Sequence, residues 1–497
     1  SSLQIKTFRK EMSMRKLMSL LAGAVFAAGL ASAPTVADAY EAVCGPLGVL
    51  HYQKEKAFDG YTLYTNHLGG TKTYLIDMKG NVVHEWNHGR QAFMAELLPN
   101  GNLMRLEQGP GNPVSFGGWH GSLREYDWDG NVVWEYTARD NNKIAHHGFD
   151  RLPNGNTAFL IWERMPWDEM IAKGRKADDP TIYKNGFKYP DGTVLNDVWP
   201  DAIIEVNPKG EIVWEYHVKD NIGTGKDQFD PNYHLPFGYI PAYFAGPDWT
   251  HWNSVRYNPK TDEYLVNSRD WGEMYIIDRK TKKMVWRWGN PYAYGGGKKV
   301  QGYARDGDQI LFGSHDCNWL PNGNLSILDN GTMRPSTNYS AAYEIQRDGT
   351  FNGGKIVWKF KTKDSNSFYS AYQCAAQKLP NENWLVTSTT NGHLMEVDKK
   401  GEVVWEFINP MYGDQPACVK KDNAPWNQIH RAFRYAADSP QLKGRTLKPI
   451  RKLAPNCPDW VELLKVELPA SSAAAPKVEN APASTMKGYD YSMPPKK

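Results

Sequence analysis

Cysteine is scarce, with five in 497 residues: Cys44, Cys317, Cys374, Cys418 and Cys457. An odd number excludes complete pairing within one chain. Charge of one sign is also missing. Lys and Arg total 58 against 55 Asp and Glu, a net charge of +3, so the balance argues for neither nucleic acid nor an acidic partner. No Walker or dinucleotide glycine pattern occurs, which argues against a nucleotide cofactor. No Cys-x-x-Cys or His-Glu-x-x-His spacing marks a local metal site. Long apolar runs are absent apart from Leu17 to Leu30.

That run reads as a secretory signal. Arg15 and Lys16 precede it, and Ala37-Asp-Ala39 offers small residues for cleavage before Tyr40. It is too short for a comfortable membrane anchor. Val43 before Cys44 does not fit a lipid-modified cysteine. The expected organisation is a leader at 1–39 with its signal peptide at 12–39, then an N-terminal extension at 40–59. A folded core spans 60–440, a C-terminal extension 441–465, and a disordered tail rich in Ala, Pro and Lys 466–497. The expected location is the periplasm or the exterior, without stable membrane insertion after signal cleavage. Disulfides are permitted there, and Cys44 and Cys457, which flank the core, are the expected pair.

What is present is a repeat. Its clearest copy runs from Gly313 to Phe360, where Leu320-Pro-Asn-Gly-Asn324 turns between two apolar runs and Arg347-Asp-Gly349 between two more. Asn-Gly and Asp-Gly tolerate positive φ and favour hairpins. A closing strand recurs as Val83-His-Glu-Trp86, Val133-Trp134, Val213-Trp214, Val285-Trp286, Val357-Trp358 and Val404-Trp405. Six copies of a four-stranded meander predict an all-β, six-bladed β-propeller of antiparallel blades. The first copy lacks its innermost strand, and Asn427 to Tyr435 is the expected C-terminal strand that closes the ring. Most of the 19 Trp and 27 Tyr then close strands and pack between sheets. His84, standing where the other copies carry Trp, reads as a packing residue.

Within this repeat, His147, His251 and His315 fall at the starts of innermost strands. His393 falls between strands two and three of the sixth copy. All four belong to one mouth of the channel, and Arg334 and Arg269 point toward it. Several imidazoles at one site suit nucleophilic and acid–base catalysis with Arg binding an anion, or a transition metal.

At these residues the chain resembles the bacterial aryl-sulfate sulfotransferases. The resemblance rests on Asp248-Trp-Thr-His251-Trp-Asn-Ser254, Leu265-Val-Asn-Ser-Arg269, His315-Asp316, Leu328-Asp-Asn330, Phe368-Tyr-Ser370, Gly392-His393 and Arg431-Ala-Phe-Arg434. It covers most of residues 60–440. It implies an exported propeller enzyme that moves a sulfuryl group from a small aromatic sulfate donor to a phenol acceptor, without a cofactor. It implies His393 as the residue that takes up the group, assisted by His251 and His315. Asn253 and His147 join the substrate-binding set. The family places an Arg after a Tyr-Ser pair; here that reads Tyr339-Ser340-Ala341, and Arg334 or Arg269 is expected to reach the same space. The family's separate N-terminal β-domain is not expected here.

Two further readings keep the fold. In one, His147, His251, His315 and His393 ligate a transition metal for redox or hydrolytic work. In the other, the propeller binds an aromatic or sugar ligand without turnover.

Overall fold

The computed structural model describes residues 47–67, 69–109, 113–114, 116–179, 187–188, 194–233, 247–298, 307–332, 334–335, 337–416 and 427–454. All lie in the first of two compact units, residues 1–458. The signal peptide, Cys44, Cys418, Cys457 and the C-terminal tail lie outside the described residues.

The Leu-Pro-Asn-Gly-Asn turns behave as their chemistry dictates. Leu98 N–H donates to Asn102 O at 2.8 Å and Gly101 N–H to Leu98 O at 2.8 Å. Gly101 takes φ +83°, and in the sixth copy Glu382 is forced to φ +71° at the same place. The turn asparagines also reach inward: Asn322 and Asn324 donate to Glu344 Oε1 at 2.8 and 2.7 Å.

These hairpins assemble six antiparallel blades, and the six-bladed propeller is the observed fold. Blade 2 runs Ala92–Leu97, Leu103–Gln108, Gly121–Tyr126, Val132–Thr137; blade 3 runs Lys143–Arg151, Thr157–Glu163, Asp201–Val206, Ile212–His217. Blade 4 runs Trp252–Asn258, Glu263–Ser268, Glu273–Asp278, Lys283–Trp288. Blade 5 runs His315–Trp319, Leu325–Asp329, Ala341–Arg347, Gly354–Phe360; blade 6 runs Ala375–Lys378, Trp384–Ser388, His393–Val397, Val403–Ile408. In blade 1, Tyr61–Asn66, Lys72–Ile76 and Asn81–Asn87 follow Ile429–Tyr435, the innermost strand, which arrives from the C-terminal side as expected. The N-terminal side adds a second clasp that sequence reasoning missed: Gly48–Tyr52 pairs with Val403–Ile408 as an outer fifth strand of blade 6. Arg451–Lys452 likewise extends blade 1 beside Val82 and Asn81.

The closing-strand signature has a mechanical meaning. In every blade the pairing slips at the Val: Glu205 pairs with Trp214 and Val206 with Ile212, leaving Val213 as the extra residue of a β-bulge. The same slip leaves Val83, Val133, Val285, Val357 and Val404 unpaired. The next residue then ties its blade to the following one. Trp134, Trp214, Trp286, Trp358 and Trp405 donate their indole N–H to Pro208, Arg279, Gly353, Lys399 and Met78 carbonyls at 2.8–3.0 Å. His84 makes the equivalent contact, Nε2 to Trp128 O at 3.0 Å, so it packs as expected and does the work of the missing Trp. Between blades the apolar faces interlock, as where Leu265, Ile276 and Trp286 meet Leu325, Ile327 and Tyr343.

No helix among the described residues is long and apolar enough to cross a membrane. Cys317 and Cys374 are buried free thiols; the proposed Cys44–Cys457 pair falls outside the described residues.

Candidate active site in the central channel

The innermost strands start with unusual backbone. His147, His251, Asp316, Gln373 and Cys374, from blades 3 to 6, all take positive φ, between +46° and +84°. Non-glycine residues occupy that region at a cost of about 1–3 kcal/mol each, and such strain clusters at functional sites. The register slips at these points in blades 3, 4 and 5. The bulge re-aims side chains that a regular strand would place on alternate faces. His147 is inside its strand, which begins at Lys143, rather than at its opening. Its ring lies against the backbone of Gly118, where an added Cβ would sit 2.2 Å from the imidazole.

Three of the expected histidines come together. The His147 and His251 ring centroids are 4.7 Å apart, and those of His147 and His315 are 6.5 Å apart. All three are buried. Their environments differ. Burial, then the charge of His251, pushes His147 well below its ordinary value. His251 is also penalised by burial, but the Asp248 carboxylate 2.5 Å from its Nδ1 outweighs that and raises it. Neighbouring groups whose values are driven apart form a ready acid–base pair.

His315 is already occupied. Its Nδ1 faces Asn330 Oδ1 at 2.7 Å and Gly313 O at 2.9 Å, and its Nε2 accepts from the Gln373 amide at 3.2 Å. That network assigns the proton to Nδ1, and burial pushes the ring well down, so it is neutral. His393 faces elsewhere: its Nε2 lies 2.8 Å from Glu406 Oε1 on the closing strand of blade 6. It stays at the same mouth, because Gly392 packs against Asn427, just ahead of the innermost strand of blade 1.

The two arginines also differ. Arg269 pairs with Asp270 Oδ1 at 2.6 Å, and its charge bears directly on His315 and His251. Arg334 pairs with Asp329 and lies over the Tyr339 ring at 4.3 Å and the Phe312 ring at 5.1 Å. Asn253 spends its side-chain NH2 on Ser314 O at 2.8 Å and its backbone carbonyl accepts from Arg431 at 2.9 Å, while its buried Oδ1 has no hydrogen-bond partner. Ala341 is fully buried in the core between blades 4 and 5, where it packs with Leu325 and Tyr343.

Sequence reasoning missed a second set of imidazoles. His67, His120 and His430 surround Phe93 at centroid distances of 4.7, 5.0 and 3.9 Å. Both nitrogens of His430, Nδ1 of His67 and Nε2 of His120 are buried without a hydrogen-bond partner. Burial pushes His67 down to about 4 and His120 to about 3. The signal for His430 was its place in the strand that closes the ring. Behind His147 stands His146, stacked on Trp162, with its Nδ1 2.9 Å from His147 Nδ1. Its Nε2 is 3.0 Å from Asp201 Oδ1, off the line of a straight hydrogen bond, and neither atom has another partner.

As a metal centre, the four-histidine set is not how the ligands gather. Among the described residues, the group with potential ligand atoms all within 4.8 Å of one another is Asp248, His251 and Asp270.

Residues 184–406 match the family model described as Arylsulfotransferase (ASST). The Arylsulfate sulfotransferase AssT of Escherichia coli O6:H1 is 22% identical over 375 residues, 59% of this chain. The chain thus spans 62% of the length of that curated relative. Among solved structures, a protein of unknown function from Bacteroides caccae is 13% identical, with a TM-score of 0.43 over 76% of this chain and 98% of its own. A streptogramin B lyase is 11% identical, with a TM-score of 0.39 over 79% of this chain and 94% of its own. Likeness at those scores says nothing about the site. The stretch from residue 184 to residue 406, which holds His251, Arg269, His315 and His393, is thus the part of the chain similar to the arylsulfotransferase (ASST) family.

Proposed function

We propose that this protein is an exported sulfotransferase-like enzyme that moves a sulfuryl group from an aryl sulfate to a phenolic acceptor. The observation that carries the reading is the meeting of imidazoles from three blades beside Arg269, with His251 and His147 driven apart in basicity.

His393 takes the group, as the family resemblance implies. Glu406 Oε1, 2.8 Å from Nε2, favours the proton on that nitrogen, which leaves the lone pair on Nδ1 for attack at sulfur. The ester S–O bond breaks as the N–S bond forms, and the phenolate departs. His251, held protonated by Asp248, gives that phenolate its proton and then takes the proton of the acceptor phenol. The acceptor oxygen attacks sulfur and regenerates His393. Arg269 supplies the guanidinium that the family places at Ala341, and His315 acts as scaffold through Asn330 and Gln373. The signal at 12–39 directs export.

Purified protein should release phenol from an aryl sulfate only when an acceptor phenol is present, with ping-pong kinetics. His393→Asn should lower that rate by at least about 10³-fold. An unchanged rate would remove His393 from the mechanism, and no transfer by the wild-type protein would remove the reading.

A further inference from the structure

The geometry points to a divalent-cation site formed by Asp248, His251 and Asp270, beside the channel and shared with it through His251. The potential ligand atoms of these buried residues lie within 4.8 Å of one another. Atoms bound to one ion at about 2.0–2.2 Å sit up to about 4.4 Å apart, so closing on an ion asks only for a side-chain adjustment.

The second observation concerns an unmatched oxygen. Asp248 is 4% exposed; its Oδ2 contacts His251 Nδ1, but its Oδ1 has no hydrogen-bond partner. A buried carboxylate oxygen left without a donor is costly, and a cation removes that cost. Arg269 is placed on Asp270 Oδ1.

The mounting is rigid. Asp248 to His251 form the turn before the first strand of blade 4, and Asp270 lies just beyond its second strand. The Arg269 amide donates to His251 O at 3.0 Å, and the Trp271 indole to Trp249 O at 3.1 Å, which ties the two segments together. One imidazole with two carboxylates suits the Mn²⁺ to Zn²⁺ class. Ca²⁺ instead asks for six to eight oxygens. The cation would replace the proton that His251 carries in the proposed transfer, so the site does not rest on sulfuryl transfer and is measured without turnover.

Protein prepared without a metal-affinity resin and stripped with a chelator is titrated with Mn²⁺ alone and followed by electron paramagnetic resonance. The expected result is one Mn²⁺ per chain, displaced by Zn²⁺, with the echo modulation of one imidazole nitrogen. Asp248→Asn and Asp270→Asn should each weaken binding at least tenfold, while Glu402→Gln on the outer edge of blade 6 leaves it unchanged. Less than a tenth of an ion per chain at millimolar Mn²⁺ would overturn the site and leave a hydrogen-bonded cluster. So would the lack of imidazole modulation in the wild-type protein, whether or not the variants fold, or equal binding by both folded variants.

Discussion

At the outer strand of the blades, Trp134, Trp214, Trp286, Trp358 and Trp405 occupy one position and make one contact, an indole N–H to the next blade's carbonyl. At the inner strand, one left-handed position holds His147, His251, Asp316 and then Gln373 with Cys374. The outer strands repeat one residue to do the same job at five junctions, with His84 in its place at the sixth. The inner strands vary the residue over a repeated backbone, so that different blades contribute different groups to one site. A ring can afford this division because closure depends on the junctions, while the axis is a place where all blades meet.

The contrast can be broken at either end. The largest expected effect is at the outer strand: Trp405→Ala removes a fully buried indole and should cost about 3–5 kcal/mol, read from the midpoint of urea unfolding. A loss below about 1 kcal/mol would mean the blade 6 to blade 1 junction is held by the two terminal strands instead. At the inner end, Gly118→Ala drives a methyl into the His147 ring from a residue at φ +98°. It should lower turnover at least tenfold and stability by about 1–3 kcal/mol, with an unchanged circular dichroism spectrum; full activity would place His147 outside the chemistry.

A third test uses pH. His67 is held down at about 4 in the folded state, so below its ordinary value of 6.5 the unfolded chain binds a proton that the folded chain refuses. Stability therefore falls as pH drops from 6.5 toward 4, by about 1.4 kcal/mol per unit for this group. His67→Gln should flatten the unfolding free energy against pH by about that slope in that window; an identical profile would mean His67 is hydrated. The smallest effect is expected at the bulge. Val213 is 48% exposed, and Val213→Thr should change stability by less than about 0.5 kcal/mol, because the bulge needs the extra residue and not its side chain.

Much of this was legible from the chain. The Asn-Gly turns, the Val-Trp strands and the strand from Asn427 are local or repeated signals, and repetition averages out local exceptions. The role of His84 was readable because it stands in a column of tryptophans. The site was legible only as a list. His147, His251 and His315 do meet, but His315 has its Nε2 taken by Gln373, 58 residues away. His393 faces Glu406 rather than the cluster. His67, His120 and His430 went unread because no motif marks them; they meet only around Phe93.

The feature that sequence by itself determined is the blade, because a turn and a strand depend on φ preferences and alternation within a few residues. Which nitrogen of each histidine is free, and which carboxylate lies beside it, only the closed ring decided. Some of those contacts join residues more than fifty positions apart, such as His146 with Asp201 and His315 with Gln373, and even the local Asp248–His251 pair depends on a bulge at the start of an inner strand, which changes which side chain enters the channel.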